Sequence, residues 1–122
     1  MNSNKKTVVL GASSNPERVS FDAVQRLKAR NYPVVAIGLK EGKIGEIEIQ
    51  KGFPKIDNVD TVTLYVGAKN QQVYYDYIFS LNPKRIIFNP GAENNELLNL
   101  AVSKGIETIE ACTLTMLSIG NY

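Results

Sequence analysis

Short apolar runs alternate with helically spaced segments from one end of this chain to the other, and that alternation confines the fold to repeated βαβ units around a parallel sheet. Thr7–Leu10 reads as the first buried strand. Phe21, Val24, Leu27 and Lys28 follow at helical spacing with Asp22 in the first turn, so a helix runs to about Arg30 from a cap at Asn15 or Ser20. Asn31-Tyr32-Pro33 ends it, and Val34–Ile37 is the second strand. Residues 46–49 alternate apolar and charged side chains between Gly45 and Gly52, a pattern that an exposed edge strand and a folded loop satisfy equally. Residues 61–66 are the third clear strand, followed by a helix over 70–80 with Val73, Tyr77 and Ile78 inward. Arg85–Phe88 is the fourth; residues 93–104 form a helix with Leu97, Leu100 and Ala101 on one face and Gly105 as its C-cap. Residues 106–110 are the fifth strand and 112–119 a closing helix. Right-handed crossovers then predict a Rossmann-like, doubly wound, five-stranded parallel sheet in the order 3-2-1-4-5, with helices on both faces in three α/β/α layers.

A chain of 122 residues has room for one domain core, so one domain must carry the whole function. The net charge of +2 comes from interspersed acids and bases, with no basic block to favour nucleic acid or a membrane surface. No apolar run approaches a membrane span, and Met1-Asn2-Ser3-Asn4-Lys5-Lys6 has no signal core behind it. One cysteine and no pair to bridge point to the cytoplasm. Histidine is absent, which excludes His-metal sites, Ser-His-Asp triads, Cys-His pairs and phosphohistidine chemistry; no metal is expected.

What remains is backbone and cationic recognition. The first strand opens into Gly11-Ala12-Ser13-Ser14, a strand-to-helix turn of small residues that suits a phosphate. It is half of a dinucleotide fingerprint, since Ser13 and Pro16 stand where the second and third glycines belong; an ordinary turn in which Gly11 relieves crowding also fits. In the expected order the sheet reverses between strands one and four, which places this turn opposite Asn89-Pro90-Gly91. The second strand ends in Ile37-Gly38-Leu39-Lys40, so its first charged group is a cation where an NAD site wants a carboxylate. The 3′-phosphate of CoA and the 2′-phosphate of NADP both suit Lys40 better than NAD does. Arg18 is a second candidate, gripping a diphosphate or simply solvated on the helix. Cys112, just past the fifth strand, reads either as a small buried hydrophobe or as a thiolate activated by the helix that follows.

The chain resembles the small stand-alone CoA-binding domain proteins, whose fold also forms the amino-terminal domain of the succinyl-CoA synthetase alpha subunit. The resemblance is carried by Val8-Val9-Leu10-Gly11-Ala12-Ser13 with Pro16, Arg18 and Ser20; by Tyr32-Pro33-Val34-Val35 and Gly45; by Phe53-Pro54-Lys55-Ile56 with Val59-Asp60; by Asn89-Pro90-Gly91-Ala92 with Asn95-Glu96; and by Gly105 with Cys112. Two positions depart from the pattern: Ala36-Ile37-Gly38-Leu39-Lys40 replaces a segment that usually reads more like Val-Asn-Pro, and Ala111 stands where the family often has Arg. The resemblance implies that the turn Gly11, Ala12, Ser13 and Ser14, then Arg18 and Ser20, the segment holding Gly38 and Lys40, the end of strand three at Val66 and Gly67, and Asn89, Pro90 and Gly91 surround the coenzyme. The expected function is noncovalent binding of CoA or an acyl-CoA without catalysis, with a protein partner or a second copy compatible with it. Two alternatives stay open: an NADP-dependent oxidoreductase, which would need a proton donor such as Tyr65 and has no Tyr-x-x-x-Lys helix pattern, and a scaffold that no longer binds nucleotide.

Overall fold

In the computed structural model, which describes residues 5–122, the apolar runs become strands whose side chains are shared between two cores. Met1 to Asn4 of the leading segment lie outside the described residues. β1 is Thr7–Leu10, β2 Val34–Ile37, β3 Lys43–Ile44, β4 Ile47–Gln50, β5 Thr61–Leu64, β6 Arg85–Phe88 and β7 Glu107–Glu110. They form one sheet in the order β3-β4-β2-β1-β5-β6-β7. All pairs are parallel except β3 with β4, which is antiparallel.

The expected five-stranded order is therefore corrected twice. Residues 43–50 form a hairpin in which Gly45, at φ +62°, takes the turn position that disfavours a Cβ. The hairpin's β4 then joins β2, with Ala36 opposite Ile49 and Ile37 opposite Gln50. That occupies the free edge of β2, so the next strand, β5, is forced to the other side of β1, where Thr7 to Leu10 face Thr61 to Leu64. Among the sequence-predicted strands, the third lies beside the first, and the sheet reverses between these two rather than between the first and fourth.

Helix α1 (Val19–Ala29) and α4 (Thr113–Ile119) cover one face; α2 (Tyr75–Ser80) and α3 (Asn95–Ser103) cover the other. Strand alternation assigns the side chains: Val8, Leu10, Val62, Leu64, Ile86 and Phe88 pack with Ile78, Leu97 and Ala101, whereas Val9, Ala36 and Ile87 pack with Val24, Leu27, Met116 and Leu117. Each such fully buried Val, Leu, Ile or Phe side chain contributes about 1.5–3 kcal/mol relative to exposure. Residues 51–60 cross to β5 without helix or strand, laying Ile56 and Val59 on the α2 face.

Several helix details differ from expectation. α1 is capped by neither Asn15 nor Ser20: the Asn15 carbonyl accepts the Arg18 N–H at 3.0 Å in a turn of its own, and Ser20 sits buried within the first helical turn. The predicted helix over 70–80 is two 3₁₀ turns, Ala68–Asn70 and Gln72–Tyr74, before α2 begins. Val73, expected inward, is 71% exposed, whereas Gln71 is buried. Leu100, expected on the same inward face, is exposed, while Leu97 and Ala101 are fully buried as expected. Gly105, at φ +77°, closes α3 with two bonds, Gly105 N–H to Val102 and Ile106 N–H to Ala101, so the predicted cap holds.

Candidate functional site

Because the sheet is parallel apart from β3, the exits of β1, β2, β4, β5, β6 and β7 fall along one edge. The strand order reverses between β1 and β5, the place where such a sheet is expected to take a ligand. Gly11 leaves β1 at φ +98°, and a Cβ on it would stand 2.8 Å from the Tyr65 carbonyl oxygen. The Tyr65 N–H in turn donates to the Leu10 carbonyl at 2.8 Å. The glycine turn thus meets Tyr65 and Val66, and the Asn89-Pro90-Gly91 turn lies one strand farther along the edge.

The turn itself is only partly available as an anion cradle. The N–H groups of Gly11 and Ala12 both donate to the Ile37 carbonyl, at 2.8 and 2.9 Å, which leaves those of Ser13 and Ser14 outside the sheet's hydrogen bonding. The Ser13 hydroxyl accepts the Asn15 N–H at 3.1 Å, and Asn15 Oδ1 accepts the Glu17 N–H at 3.0 Å, fixing the path from the turn to α1. Ser14 is exposed. Arg18 is exposed and makes no ion pair among the described residues, whereas Ser20 is buried beneath it.

Gly38 supports the turn from behind: a Cβ there would lie 2.2 Å from the Ala12 carbonyl oxygen, and one on Gly42 would lie 2.8 Å from Ser14 Oγ. The β1 and β2 exits are packed nearly backbone against backbone. Beyond them Leu39 is 85% exposed and Lys40 is exposed. Glu41, the next residue, pairs with Lys51 at 3.5 Å, while Lys40 makes no ion pair among the described residues.

Asn89, expected to line the ligand, is 1% exposed with its side chain fully committed. Nδ2 donates to Thr63 Oγ1 at 2.6 Å and to the Leu64 carbonyl at 2.8 Å, and Oδ1 accepts the Thr113 N–H at 2.9 Å. It ties β5, β6 and the start of α4 together. Pro90 and Gly91 stand exposed at the rim; Gly91 has φ +93°, no atom within 4 Å of a built Cβ, and an N–H that donates to Glu93 Oε1 at 2.8 Å. Val66 is half-buried and Gly67 exposed.

Cys112 is half-buried beside β7's exit, at the start of α4. Burial pushes its thiol up, but the Thr115 hydroxyl and the N–H groups of Thr115 and Leu114 more than offset this and hold it below the ordinary value. Tyr65 turns inward to the α1 and α4 face, where its hydroxyl has no hydrogen-bond partner. The neighbouring Thr63 and Thr113 hydroxyls bond each other at 2.7 Å, and burial drives the Tyr65 phenol far above its usual range.

Three rim residues escaped the sequence reading. Gln71, 1% exposed, bridges the Val66 and Ala92 carbonyls; Asn94 caps α3 through the N–H groups of Glu96 and Leu97; Glu93 holds Gly91. Nothing in Lys69-Asn70-Gln71-Gln72 distinguishes the buried glutamine from the exposed one. Asn94 did carry a signal, an Asn before a helical run with Glu96 in its first turn.

A strand-to-helix glycine turn at the reversal point of a largely parallel sheet defines a Rossmann-like domain, and the comparisons with known proteins make the class narrower. The family model described as CoA binding domain matches residues 5–118, and the chain belongs to that family. It is similar to the crystal structure of an uncharacterized protein, at 45% identity and a TM-score of 0.94, with 97% of this chain and 98% of that one covered. A hypothetical protein from Pyrococcus horikoshii OT3 shares the fold at 21% identity and a TM-score of 0.83, over 96% of this chain and 83% of its own. A Thermus thermophilus protein shares it at 17% identity and a TM-score of 0.83, over 97% and 90%. No curated protein matches significantly. Among the described residues no helix is long and apolar enough to cross a membrane, and no His/Cys/Asp/Glu group could hold a metal.

Proposed function

We propose that the chain binds CoA or an acyl-CoA noncovalently in the crevice between the β1 and β5 exits, and that it does so without catalysing a reaction. The observation that carries this reading is the seat of Gly11, in a left-handed conformation against the Tyr65 carbonyl at the reversal of the sheet, in a member of the CoA-binding domain family. In this reading the Ser13 and Ser14 N–H groups and Arg18 receive the diphosphate, and Lys40 receives the ribose phosphate. Val66, Gly67, Pro90 and Gly91 line the path of the pantetheine. Gly38 and Asn89 shape the walls without touching the ligand, because the first is packed on Ala12 and the second has no free donor. The oxidoreductase alternative is disfavoured by Tyr65, the proton donor it would use, whose hydroxyl is buried away from the edge with its proton held tightly. Mass spectrometry of small molecules released by denaturing the purified protein tests the proposal: CoA or an acyl-CoA is expected, and NADP recovered in its place would favour the oxidoreductase.

A further inference from the structure

Gln71 is buried where a primary amide must satisfy all its groups, and every one of them goes to the ligand edge. Nε2 donates to the Val66 carbonyl, at the exit of β5, and to the Ala92 carbonyl, at the exit of β6, both at 2.7 Å. Oε1 accepts from Asn94 Nδ2 at 2.9 Å, and that same nitrogen donates to the Tyr75 hydroxyl at 2.8 Å. The two hydrogens of an amide NH₂ diverge at a fixed angle. One side chain therefore dictates how far apart two carbonyls of two different loops can stand. Asn89 cannot duplicate this, since it grips β5 within the strand, at Thr63 and Leu64, below the loops.

We infer that Gln71 is a positioning residue that sets the gap between the Val66-Gly67 loop and the Asn89-Pro90-Gly91-Ala92 loop, and so the width of the wall along which a narrow, amide-bearing chain such as pantetheine would lie. The ligand half of this inference rests on the CoA reading above; the gap-setting half does not. Gln71→Met keeps the length and bulk and removes both donors, and Gln71→Glu keeps the shape and replaces the NH₂ with an acceptor.

Amide hydrogen exchange on wild type and both variants, together with CoA titration, tests it. In each variant exchange should accelerate about tenfold or more in residues 66–71 and 91–93, while residues 11–14 and 38–42 keep the wild-type rate; CoA should bind about tenfold more weakly. Unchanged exchange in the two loops would overturn the inference, as would acceleration spread evenly over the sheet, the signature of lost packing. Localised acceleration with unchanged CoA affinity would overturn its ligand half. If wild type itself fails to bind CoA, the functional reading falls, and the exchange pattern still decides whether Gln71 sets the gap.

Discussion

The two halves of the ligand edge are built from opposite materials. At the β1 and β2 exits the chain removes side chains: Gly11, Gly38 and Gly42 let backbones close to distances at which a Cβ would meet carbonyl or serine atoms within 2.8 Å. At the β5 and β6 exits it inserts polar ones, and Gln71 and Asn89, each 1% exposed, bridge the strands and loops with hydrogen bonds. Glycine packing leaves little tolerance for added volume, whereas an amide bridge tolerates volume and fails when a donor is lost. The first half should therefore break under small additions and the second under deletions of hydrogen bonds.

Gly38→Ala is the hardest test of the first half. Its Cβ would sit 2.2 Å from the Ala12 carbonyl oxygen, a backbone atom that cannot rotate away, with the Ile49 side chain 3.1 Å off. A loss of about 3 kcal/mol or more is expected, read as a drop in the urea midpoint with unchanged slope. A loss under about 1 kcal/mol would mean that the β1 and β2 exits are looser than this packing requires. Asn89→Ala should lose about 2–3 kcal/mol, because it strands the Thr113 N–H and the Leu64 carbonyl in the interior. The same denaturation experiment on Gly91→Ala should show only about 1 kcal/mol, the strain of φ +93° with open space around the new methyl group. The contrast between Gly38 and Gly91 separates close approach from backbone conformation as the reason for a glycine.

Alkaline titration probes two buried hydroxyls, Tyr65 on the α1 and α4 face and Tyr122 at the opposite end of the sheet, where it bonds Thr7 at the start of β1. Tyr65 and Tyr122 are both raised above the ordinary phenol value, first of all by burial. An acid whose folded pKa is raised holds its proton longer in the folded state, so the stability it contributes is complete below about pH 10 and falls as pH rises above that value. Thermal unfolding should show this loss, and Tyr65→Phe should shrink it. Tyr65→Phe should also raise stability near neutrality by about 1 kcal/mol, since a buried hydroxyl without a hydrogen-bond partner carries an uncompensated desolvation cost.

The first half of this edge was legible in the sequence and the second largely was not. An apolar run breaking into Gly11-Ala12-Ser13-Ser14 marks its turn, because few residues besides glycine adopt that backbone, and Lys40 is readable as the first charged residue after β2. Gln71 and the role of Asn89 leave no such mark, since buried amides look like surface residues until the fold supplies their partners. The sheet order failed for a related reason. Residues 46–49 were readable as strand or loop, and only by becoming β4 and filling the edge of β2 do they send β5 to β1. Strand positions were set locally by hydrophobic runs, whereas the order was set by one short hairpin whose local signal was ambiguous.

The smallest expected effect concerns Lys40. As an exposed cation it should contribute about 1 kcal/mol to the preference for CoA over dephospho-CoA, and Lys40→Ala should remove that preference while leaving dephospho-CoA binding nearly unchanged. Added salt should narrow the wild-type difference in the same direction.

Isothermal titration of the wild-type protein with CoA, dephospho-CoA, NADP and NAD tests the central claim most directly. CoA should bind most tightly, dephospho-CoA more weakly, and NAD poorly for want of a carboxylate at the end of β2. NADP binding more tightly than CoA, or no binding by any of the four, would contradict it.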